Sequence, residues 1–327
     1  MKKVLVTGGA GYIGSFIVRE LRGEGYQAYI ADNLSSGHLN AVEGFPLVEM
    51  DLARDIDKLE KLFEKEKFDG VIHMASFIQM GESFVSPGKY FSNNLNSTIN
   101  LLQTMVKHEC KSIIFSSSAG VYGSPKKLPI TEESPKNPEN PYGETKLMIE
   151  KILSWYDKAY GIKSISIRYF NAAGAAMNGS IGENHPKESH IIPLLMKSAL
   201  EGREFTLFGN DYKTKDKTCV RDYIHVLDLA SAHVLALKAL WEGRDTTSFN
   251  AGVGKGYSNL EIINEIEKLA GKFEWKFGPR RLGDADALYA STGKIQKELG
   301  WKPKYGLSEI IKSAYLWHKN NPKGYGE

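Results

Sequence analysis

The sequence is poor in cysteine, in long apolar runs and in excess charge of either sign. Its 327 residues contain two cysteines, Cys110 and Cys219, which excludes a framework of several disulfide bonds and favours a reducing, cytoplasmic location. No 18 apolar residues run together, so no membrane span of the usual length is expected. The 42 basic and 39 acidic residues leave a net charge of +3, too small to indicate a nucleic-acid or membrane-surface partner.

The composition is otherwise that of a globular protein, and the length suggests about two domains. Short apolar runs alternate with amphipathic segments through the first half, which predicts parallel strands covered by helices on both faces. The predicted strands are 3–6, 27–31, 47–50, 70–75, 112–116 and 164–169, and the predicted helices are 14–22, 57–66, 98–107, 143–160, 192–201 and 228–241.

A glycine-rich segment, Thr7–Gly14 (TGGAGYIG), follows the first apolar run and opens a helix-forming stretch. Glycines there allow a tight turn and let backbone N–H groups approach a pyrophosphate, which the N-terminus of the next helix also attracts. Asp32 follows the second strand, where a carboxylate can accept hydrogen bonds from adenosine ribose hydroxyls and would repel a 2′-phosphate. The loop and the acid together predict NAD rather than NADP. Alone, Asp32 would be read as a turn residue.

The alternation ends near Asn171 and a polar, irregular stretch follows, which is typical of a domain boundary. We therefore predict an α/β fold: a doubly wound parallel sheet of the Rossmann type with a smaller C-terminal α/β substrate domain. The helix after Val226 and the strand ending at Asn250 are expected to return to the sheet. The predicted bounds are 1–171 plus roughly 221–251 for the NAD-binding domain, and 172–220 plus 252–327 for the substrate domain.

Three further residues suggest proton transfer. Tyr142 and Lys146 lie four apart at the start of a predicted helix, so they share one face. A cation close to a tyrosine favours the phenolate and lowers its pKa, which makes a poor base able to take a proton from a hydroxyl. Ser118 ends the fifth strand, at the edge where ligands bind in open α/β sheets. Each residue by itself could equally be a surface or turn residue.

Together these residues resemble the extended short-chain dehydrogenase/reductase family, and within it the UDP-glucose 4-epimerases in particular. The matched blocks are collinear over nearly the whole chain, which makes them more specific than any single motif. They are GGAGYIGS at 8–15, GES at 81–83, SSSAGVYG at 116–123, RYFNAAGA at 168–175, FGNDY at 208–212, VRDYIHV at 220–226, AGVG at 251–254 and RRLGD at 280–284.

The resemblance implies an isomerase with NAD as cofactor that interconverts UDP-glucose and UDP-galactose through a 4-keto sugar. It implies that Tyr142 takes the proton from the sugar 4-hydroxyl while C4 gives a hydride to NAD⁺. Lys146 then holds the pKa of Tyr142 down and contacts the nicotinamide ribose, and Ser118 assists proton transfer. The residues expected to bind NAD are Gly8, Gly11, Tyr12, Ile13, Gly14, Asp32, Asn33, Ser36, Asp51, Leu52, Ala75, Asn93, Tyr142, Lys146 and Tyr169.

For the UDP-hexose substrate, the resemblance points to the second half of the chain. Arg221 and Arg281 match diphosphate ligands, and a planar guanidinium suits phosphate oxygens. Phe208 matches a residue lining the uracil pocket, and Asp284 matches an acceptor for ribose hydroxyls. Without the resemblance, Phe208 would be a core aromatic and Arg281 a solvated surface residue. The expected set is Ser118, Tyr142, Asn171, His190, Thr206, Phe208, Arg221, Arg281, Asp284 and Leu288, and no metal ligand is expected.

Three positions depart from the family pattern. Some members carry a lysine near the nicotinamide in the segment matching 74–80, where this chain has Ser76-Phe77-Ile78-Gln79. His190 stands where an asparagine often contacts the nucleotide. Leu288 occupies a size gate, and its volume lies between a tyrosine, which accompanies restriction to glucose and galactose, and the small residues that admit N-acetyl sugars.

Other readings of the sequence stay open. They are an epimerase for UDP-N-acetylhexosamines or UDP-pentoses, a related NAD-dependent nucleotide-sugar decarboxylase or dehydratase, and a NAD-sensing scaffold without catalysis. The 4,6-dehydratases carry a Thr-Asp-Glu run where this chain has Ser118-Ala119-Gly120, so the acid that dehydration needs is missing. The presence of Ser118, Tyr142 and Lys146 together argues against a scaffold.

The apolar residues between 147 and 160 cover more than one helical stripe. One face is expected to pack on the sheet, and the excess predicts a second apolar contact. That contact is either a homodimer, as the resemblance implies, or burial under the second domain. The residues are Leu147, Met148, Ile149, Ile152, Leu153, Trp155, Tyr156, Ala159 and Tyr160.

Overall fold

Strands and helices alternate along the part of the chain that the structure, a computed structural model, describes: residues 1–281 and 284–326. The strands are β1 Lys3–Thr7, β2 Gln27–Asp32, β3 Leu47–Glu49, β4 Gly70–His73, β5 Ser112–Ser118, β6 Lys163–Tyr169, β7 Asn171–Ala173, β8 Phe205–Phe208, β9 Val220–Arg221, β10 Tyr223–His225, β11 Thr247–Ala251, β12 Tyr257–Ser258, β13 Trp275–Gly278 and β14 Ala287–Leu288. The helices are α1 Tyr12–Gly23, α2 Ile56–Glu66, α3 Met80–Val85, α4 Pro87–Lys107, α5 Pro141–Tyr160, α6 Ile191–Glu201, α7 Val226–Trp241, α8 Asn259–Ala270, α9 Gly293–Leu299 and α10 Leu307–Asn320. Within these described ranges, no helix has the length and apolar character that crossing a membrane requires.

Seven strands form one sheet in the order β11-β6-β5-β4-β1-β2-β3. Every neighbouring pair is parallel, so the predicted doubly wound α/β fold is confirmed. The last strand, β11, comes from beyond the irregular region and pairs with β6, as expected for the strand ending at Asn250. The division into two domains with the bounds given above stays a prediction.

Helices cover both faces of the sheet because successive strand residues point to opposite sides. Val4 and Val6 lie in a core with α1 and α7. Leu5, between them, lies in a second core with α2, α4 and α5. A strand buried on both faces reads as a continuous apolar run, and this explains the runs seen in the sequence.

Three segments of the first half differ from the sequence prediction. Helix α4 begins at Pro87, well before the predicted start at 98, because its first half carries many polar residues that hide the apolar period. The short helix α3 was not predicted. Strand β3 ends at Glu49, so Asp51 lies beyond it in a turn rather than at its end.

The second half consists of small sheets packed on three helices. Strand β7 pairs with β10, β9 lies between β12 and β14, and β8 pairs with β13. Helices α6, α8 and α10 share an apolar core that includes Leu195, Ile263 and Ile310. Strand β7 directly follows β6 of the large sheet, and its partner β10 leads directly into α7. These two strands therefore connect the second half to the large sheet.

The buried carboxylate of Asp222 joins several of these pieces. Its Oδ1 accepts a hydrogen bond from the backbone N–H of Val253 at 2.7 Å. Its Oδ2 accepts from the backbone N–H groups of Gly254 at 3.1 Å and Ala290 at 3.0 Å. The side chain is fully buried, and burial raises its pKa to about 6 while the three N–H donors act in the opposite direction.

We expect Asp222→Asn to lower the free energy of unfolding by about 1–3 kcal/mol, because an amide has one acceptor oxygen and turns its NH₂ group toward backbone donors. Urea unfolding followed by circular dichroism measures the change. Asp211→Asn, at an exposed loop position, is the control and should change stability by less than about 0.5 kcal/mol. Equal midpoints for the two variants would contradict the role given to the carboxylate.

Candidate active site

The glycine-rich loop lies where the strand order of the sheet reverses. The chain leads from β1 to β2 on one side and returns to β4 on the other, and such a point forms a crevice at the carboxyl edge. Gly8 opens the loop with a φ of +68°, and a Cβ there would lie 2.8 Å from the backbone nitrogen of Ala75, just after β4. A Cβ on Gly14 would lie 2.3 Å from the oxygen of Gly8. The loop and α1 can approach this closely because both positions are glycine.

The acid predicted to bind ribose lies beside this loop. Asp32 ends β2 and is 7% exposed. Its Oδ2 accepts from the backbone N–H of Ala10 and its Oδ1 from that of Leu34, both at 2.9 Å. Burial raises the pKa of Asp32, and these backbone donors act against the rise. Each carboxylate oxygen has a second lone pair, so both can still accept a ribose hydroxyl.

The other predicted NAD residues surround the loop in different environments. Leu52 is 3% exposed and belongs to the core, so its side chain is not available to a ligand. Asp51 Oδ1 accepts from the backbone N–H of Ala53 at 2.9 Å. Tyr12 begins α1 and donates through its hydroxyl to the carbonyl of Gly174 at 2.6 Å. The remaining predicted positions are Gly11, which caps α1, Ile13 within α1, the exposed Asn33 and Ser36 after β2, Ala75 after β4 and Asn93 on α4.

The three predicted catalytic residues meet at the carboxyl edge of the sheet. Tyr142 and Lys146 lie in the first turns of α5, whose N-terminus is capped by the side chain of Asn140. The Lys146 Nζ atom lies 5.7 Å from the centre of the Tyr142 ring. Ser118 ends β5, and its hydroxyl lies beside the Tyr142 side chain. Tyr169 ends β6 as the register partner of Ser118.

Lys146 is buried among neutral hydrogen-bond acceptors. Its Nζ atom donates to Ser76 Oγ at 2.8 Å and to the backbone oxygen of Ser116 at 2.7 Å. Burial lowers the pKa of Lys146 to about 7, with the charge of Glu150 acting in the opposite direction. Ser76 belongs to the segment that departs from the family pattern, and the structure places it on the lysine of the predicted catalytic set.

Tyr142 has a raised pKa, caused by burial, and the neighbouring Ser118 hydroxyl acts against the rise. The net rise reflects desolvation, which disfavours the charged forms of both groups. The expectation that Lys146 holds this pKa down stays a prediction. Burial also raises the pKa of Tyr169, and the nearby Tyr142 adds to that rise.

The sequence analysis missed Asn94, a fully buried residue on α4. Its Oδ1 accepts from the backbone N–H of Phe77 at 2.8 Å. Its Nδ2 donates to the carbonyl of Phe77 at 3.2 Å and to Thr145 Oγ1 at 3.1 Å. Phe77 follows Ser76, and Thr145 precedes Lys146. The Asn94 side chain therefore holds together the two segments that carry the hydrogen-bonded pair Ser76 and Lys146. An asparagine inside a helix, where it is a poor helix former, was the available signal.

Four of the ten predicted substrate residues lie in two pairs. Arg221 on β9 donates through Nη2 to Asp284 Oδ1 at 3.1 Å. The Arg281 guanidinium lies 4.6 Å from the centre of the Phe208 ring. Thr206 lies on β8, two positions before Phe208. His190 lies elsewhere, at the N-cap of α6, and the structure does not bring it into either pair.

Leu288 connects the substrate side to α5. It is the register partner of Arg221, and its side chain packs against a buried cluster that contains Leu147, the residue after Lys146. The Leu288 carbonyl accepts from the backbone N–H of Asp222 at 3.0 Å. The Asp222 carbonyl in turn accepts from the backbone N–H and the Nδ2 of Asn171, both at 3.0 Å. The predicted size gate therefore lies against the helix that carries Tyr142 and Lys146.

The NAD dependent epimerase/dehydratase family model matches residues 4–252. The chain belongs to this family. A UDP-glucose 4-epimerase of Lactobacillus helveticus is 50% identical over 99% of both chains, and one of Lacticaseibacillus casei is 47% identical over 99% of both. These matches confirm the resemblance described from the sequence.

Solved structures give the same result. UDP-glucose 4-epimerase from Brucella ovis in complex with NAD superposes with a TM-score of 0.94 at 43% identity, covering 96% of this chain and 98% of that one. The enzyme from Bifidobacterium longum in complex with NAD⁺ and UDP superposes with a TM-score of 0.92 at 40% identity, covering 99% and 100%. The family fold therefore extends over the whole chain, including the irregular second half.

We expect Lys146→Met to stabilise the nucleotide-free protein more at pH 6 than at pH 9. An unfolded lysine has a pKa of about 10.4, whereas burial lowers that of the folded Lys146 to about 7. Below pH 7 both states bind the proton and the folded state carries the full desolvation penalty. Between pH 7 and 10 the folded lysine releases its proton, so the penalty decreases as pH rises.

Urea unfolding of the wild type and the variant at both pH values measures this difference. Lys151→Met, an exposed lysine of the same helix, is the matched control and should change stability equally at the two pH values. The same difference between pH values for both variants would show that Lys146 is not desolvated.

Proposed function

We propose that the protein is a NAD-dependent UDP-glucose 4-epimerase, an isomerase that interconverts UDP-glucose and UDP-galactose. One observation carries this conclusion. The buried Tyr142 and Lys146 and the partly buried Ser118 converge at the carboxyl edge of the sheet, in a chain that is 50% identical over its length to a UDP-glucose 4-epimerase.

NAD fits the residues at the strand reversal. Gly8 and Gly14 let the loop pack closely against the segment after β4 and the start of α1, because a Cβ at either position would clash with backbone. The first turn of α1 has no side-chain cap competing for its N–H groups. Asp32 keeps acceptor capacity for a ribose, and Lys146 is the cation nearest to Tyr142. NAD⁺ held by these residues would supply the hydride acceptor for C4, and its positive charge would favour the Tyr142 phenolate.

Tyr142 acts as the base in this proposal. Its phenolate oxygen takes the proton of the sugar 4-hydroxyl as C4 is oxidised, and returns it when C4 is reduced on the opposite face. The Ser118 hydroxyl, beside Tyr142, can donate to the oxygen that develops negative charge. Lys146, held by Ser76 and Ser116, stabilises the phenolate whenever the lysine is protonated.

The substrate must turn between the two hydride transfers, so it has to be bound mainly through its nucleotide. Arg221 and Arg281 are the proposed diphosphate ligands, since a guanidinium donates to two phosphate oxygens at once. In the structure Arg221 is paired with Asp284, so a diphosphate would compete with that carboxylate. Leu288, against α5, would then border the sugar rather than the nucleotide.

We expect Tyr142→Phe to lower the rate of UDP-galactose conversion by at least about a hundredfold, because it removes the group that exchanges the proton. The ring remains, so the amount of NAD released when the protein is unfolded should not change. Conversion is measured without added cofactor, with Tyr160→Phe, at an exposed position of the same helix, as the control. Undiminished turnover in Tyr142→Phe would refute this assignment, and a need for one external NAD per turnover would indicate a dehydrogenase.

We further infer that the chain pairs with a second copy through α5. Trp155 is 66% exposed and Tyr160 is 50% exposed, so the alternative that the second domain buries this face is wrong. The opposite side of α5 packs on α4 and the sheet. Large exposed aromatic residues on a helix typically mark a protein–protein contact.

Light scattering at micromolar concentration should find the mass of two chains. Trp155→Glu places a charge in the apolar contact and should shift the protein toward the monomer. Leu269→Glu changes a similarly exposed apolar residue on α8 and should leave the mass unchanged. A wild-type monomer under these conditions would refute the pairing.

The cellular setting follows from the same proposal. Both cysteines are free and buried, which supports a cytoplasmic location. Interconversion of UDP-glucose and UDP-galactose assigns the protein to galactose metabolism.

A further inference from the structure

The segment between β7 and α6 brings two glutamates and two histidines together. Glu183, His185, Glu188 and His190 each offer one ligand atom, and these atoms all lie within 4.8 Å of one another. The side chain of Glu183 is 4% exposed and that of His185 is 15% exposed. The proposed function uses none of the four residues, although the family resemblance implied that His190 contacts the nucleotide.

The distances within this cluster already approach those of a metal site. His185 Nδ1 lies 3.5 Å from Glu183 Oε1 and 3.3 Å from Glu188 Oε2. His190 Nδ1 is hydrogen-bonded to Glu183 Oε1. In a tetrahedral zinc site with bonds of about 2.0–2.2 Å, ligand atoms are separated by roughly 3.3–3.6 Å. The His185 distances match that separation, so only a small contraction of the cluster is needed.

Contacts outside the cluster hold two of its members in place. Glu188 Oε1 accepts from the backbone N–H groups of Ser189 and His190, both at 2.8 Å, and this leaves Oε2 directed at His185. The backbone oxygen of Glu183 accepts from Trp317 Nε1 at 3.1 Å. The first two bonds orient the Glu188 carboxylate from behind, as the outer partners of metal ligands do, and the bond from Trp317 holds the backbone of Glu183.

We propose that Glu183, His185, Glu188 and His190 bind a divalent metal ion of the zinc class. Two imidazole nitrogens and two carboxylate oxygens suit Zn²⁺, whereas Mg²⁺ and Ca²⁺ prefer oxygen ligands alone. With neutral histidines the four side chains carry a charge of −2, which one such ion neutralises. The sequence analysis expected no metal ligand, although the spacing Glu-x-His-x-x-Glu-x-His was visible in it.

The site has a structural consequence for its surroundings. The His185 ring lies edge-on to the ring of Tyr12 at the start of α1, with centroids 6.5 Å apart, and His190 caps α6. A bound ion therefore fixes the segment between β7 and α6, which contacts the start of α1 through the His185 ring. This inference goes beyond the proposed epimerase activity and does not depend on it.

The test titrates the full-length protein, first treated with a chelator, with Zn²⁺ in a calorimeter. We expect one Zn²⁺ per chain with a Kd of about 1 μM or below, and no comparable binding of Mg²⁺. His185→Gln and Glu188→Gln should each weaken Zn²⁺ binding at least about tenfold. Ser189→Ala, in the same segment but at a side chain that is not a ligand, should bind Zn²⁺ like the wild type.

A visible spectrum of the wild-type protein with Co²⁺ provides a second measurement, which does not depend on whether the variants fold. Intense absorption bands typical of four-coordinate Co²⁺, displaced by Zn²⁺, would support the site. Zn²⁺ binding of equal strength in the wild type and both ligand variants, or a Co²⁺ spectrum like that of the hydrated ion, would overturn it. Conversion of UDP-galactose by the same samples is measured separately. A failure of the epimerase proposal is then distinguishable from a failure of the metal-site proposal.

Discussion

The buried ammonium group of Lys146 imposes the constraint on which the rest of the candidate site depends. Within the described ranges it makes no hydrogen bond to a carboxylate, and its two acceptors are the Ser76 hydroxyl and the Ser116 carbonyl. Transfer of a cation from water to such a place is unfavourable unless its acceptors are fixed. The end of β5 supplies one acceptor, the loop after β4 supplies the other, and Asn94 ties that loop to α5. The geometry around Tyr142 thus depends on the hydrogen bonds that the neighbouring Lys146 requires.

A second buried charge plays the corresponding part for the substrate side. Arg221 and Asp222 are consecutive residues. The Asp222 carboxylate is enclosed by backbone donors, whereas the Arg221 guanidinium is directed at Asp284. Because side chains alternate along a strand, one short extended segment can anchor the fold through Asp222 and carry the proposed diphosphate ligand in Arg221. The same segment accepts hydrogen bonds from Asn171, so the end of the sheet and the substrate side are joined through it.

The sequence predicted those parts of the structure that local pattern determines. Apolar runs of strand length predicted the six strands of the first half, and the spacing of Tyr142 and Lys146 placed both in the first turns of one helix. The tertiary contacts that set the pKa values of these two side chains cannot be predicted from such local patterns. Ser76 is separated from Lys146 by 70 residues, and only the folded chain brings them together. Burial raises the pKa of Tyr142, and the degree of burial cannot be read from the spacing of two residues.

Leu288 combines a main-chain role in the fold with a side chain that lies against the helix of the candidate site. Its position is held by main-chain bonds, with its carbonyl on the backbone N–H of Asp222 and its strand paired with that of Arg221. Its side chain packs on the cluster that contains Leu147, and in the proposed function it borders the sugar. The strand is thus held by main-chain atoms, whereas the proposed choice of sugar depends on side-chain volume. Substitution at this position would therefore change the space beside the sugar while the main-chain bonds of the strand remain.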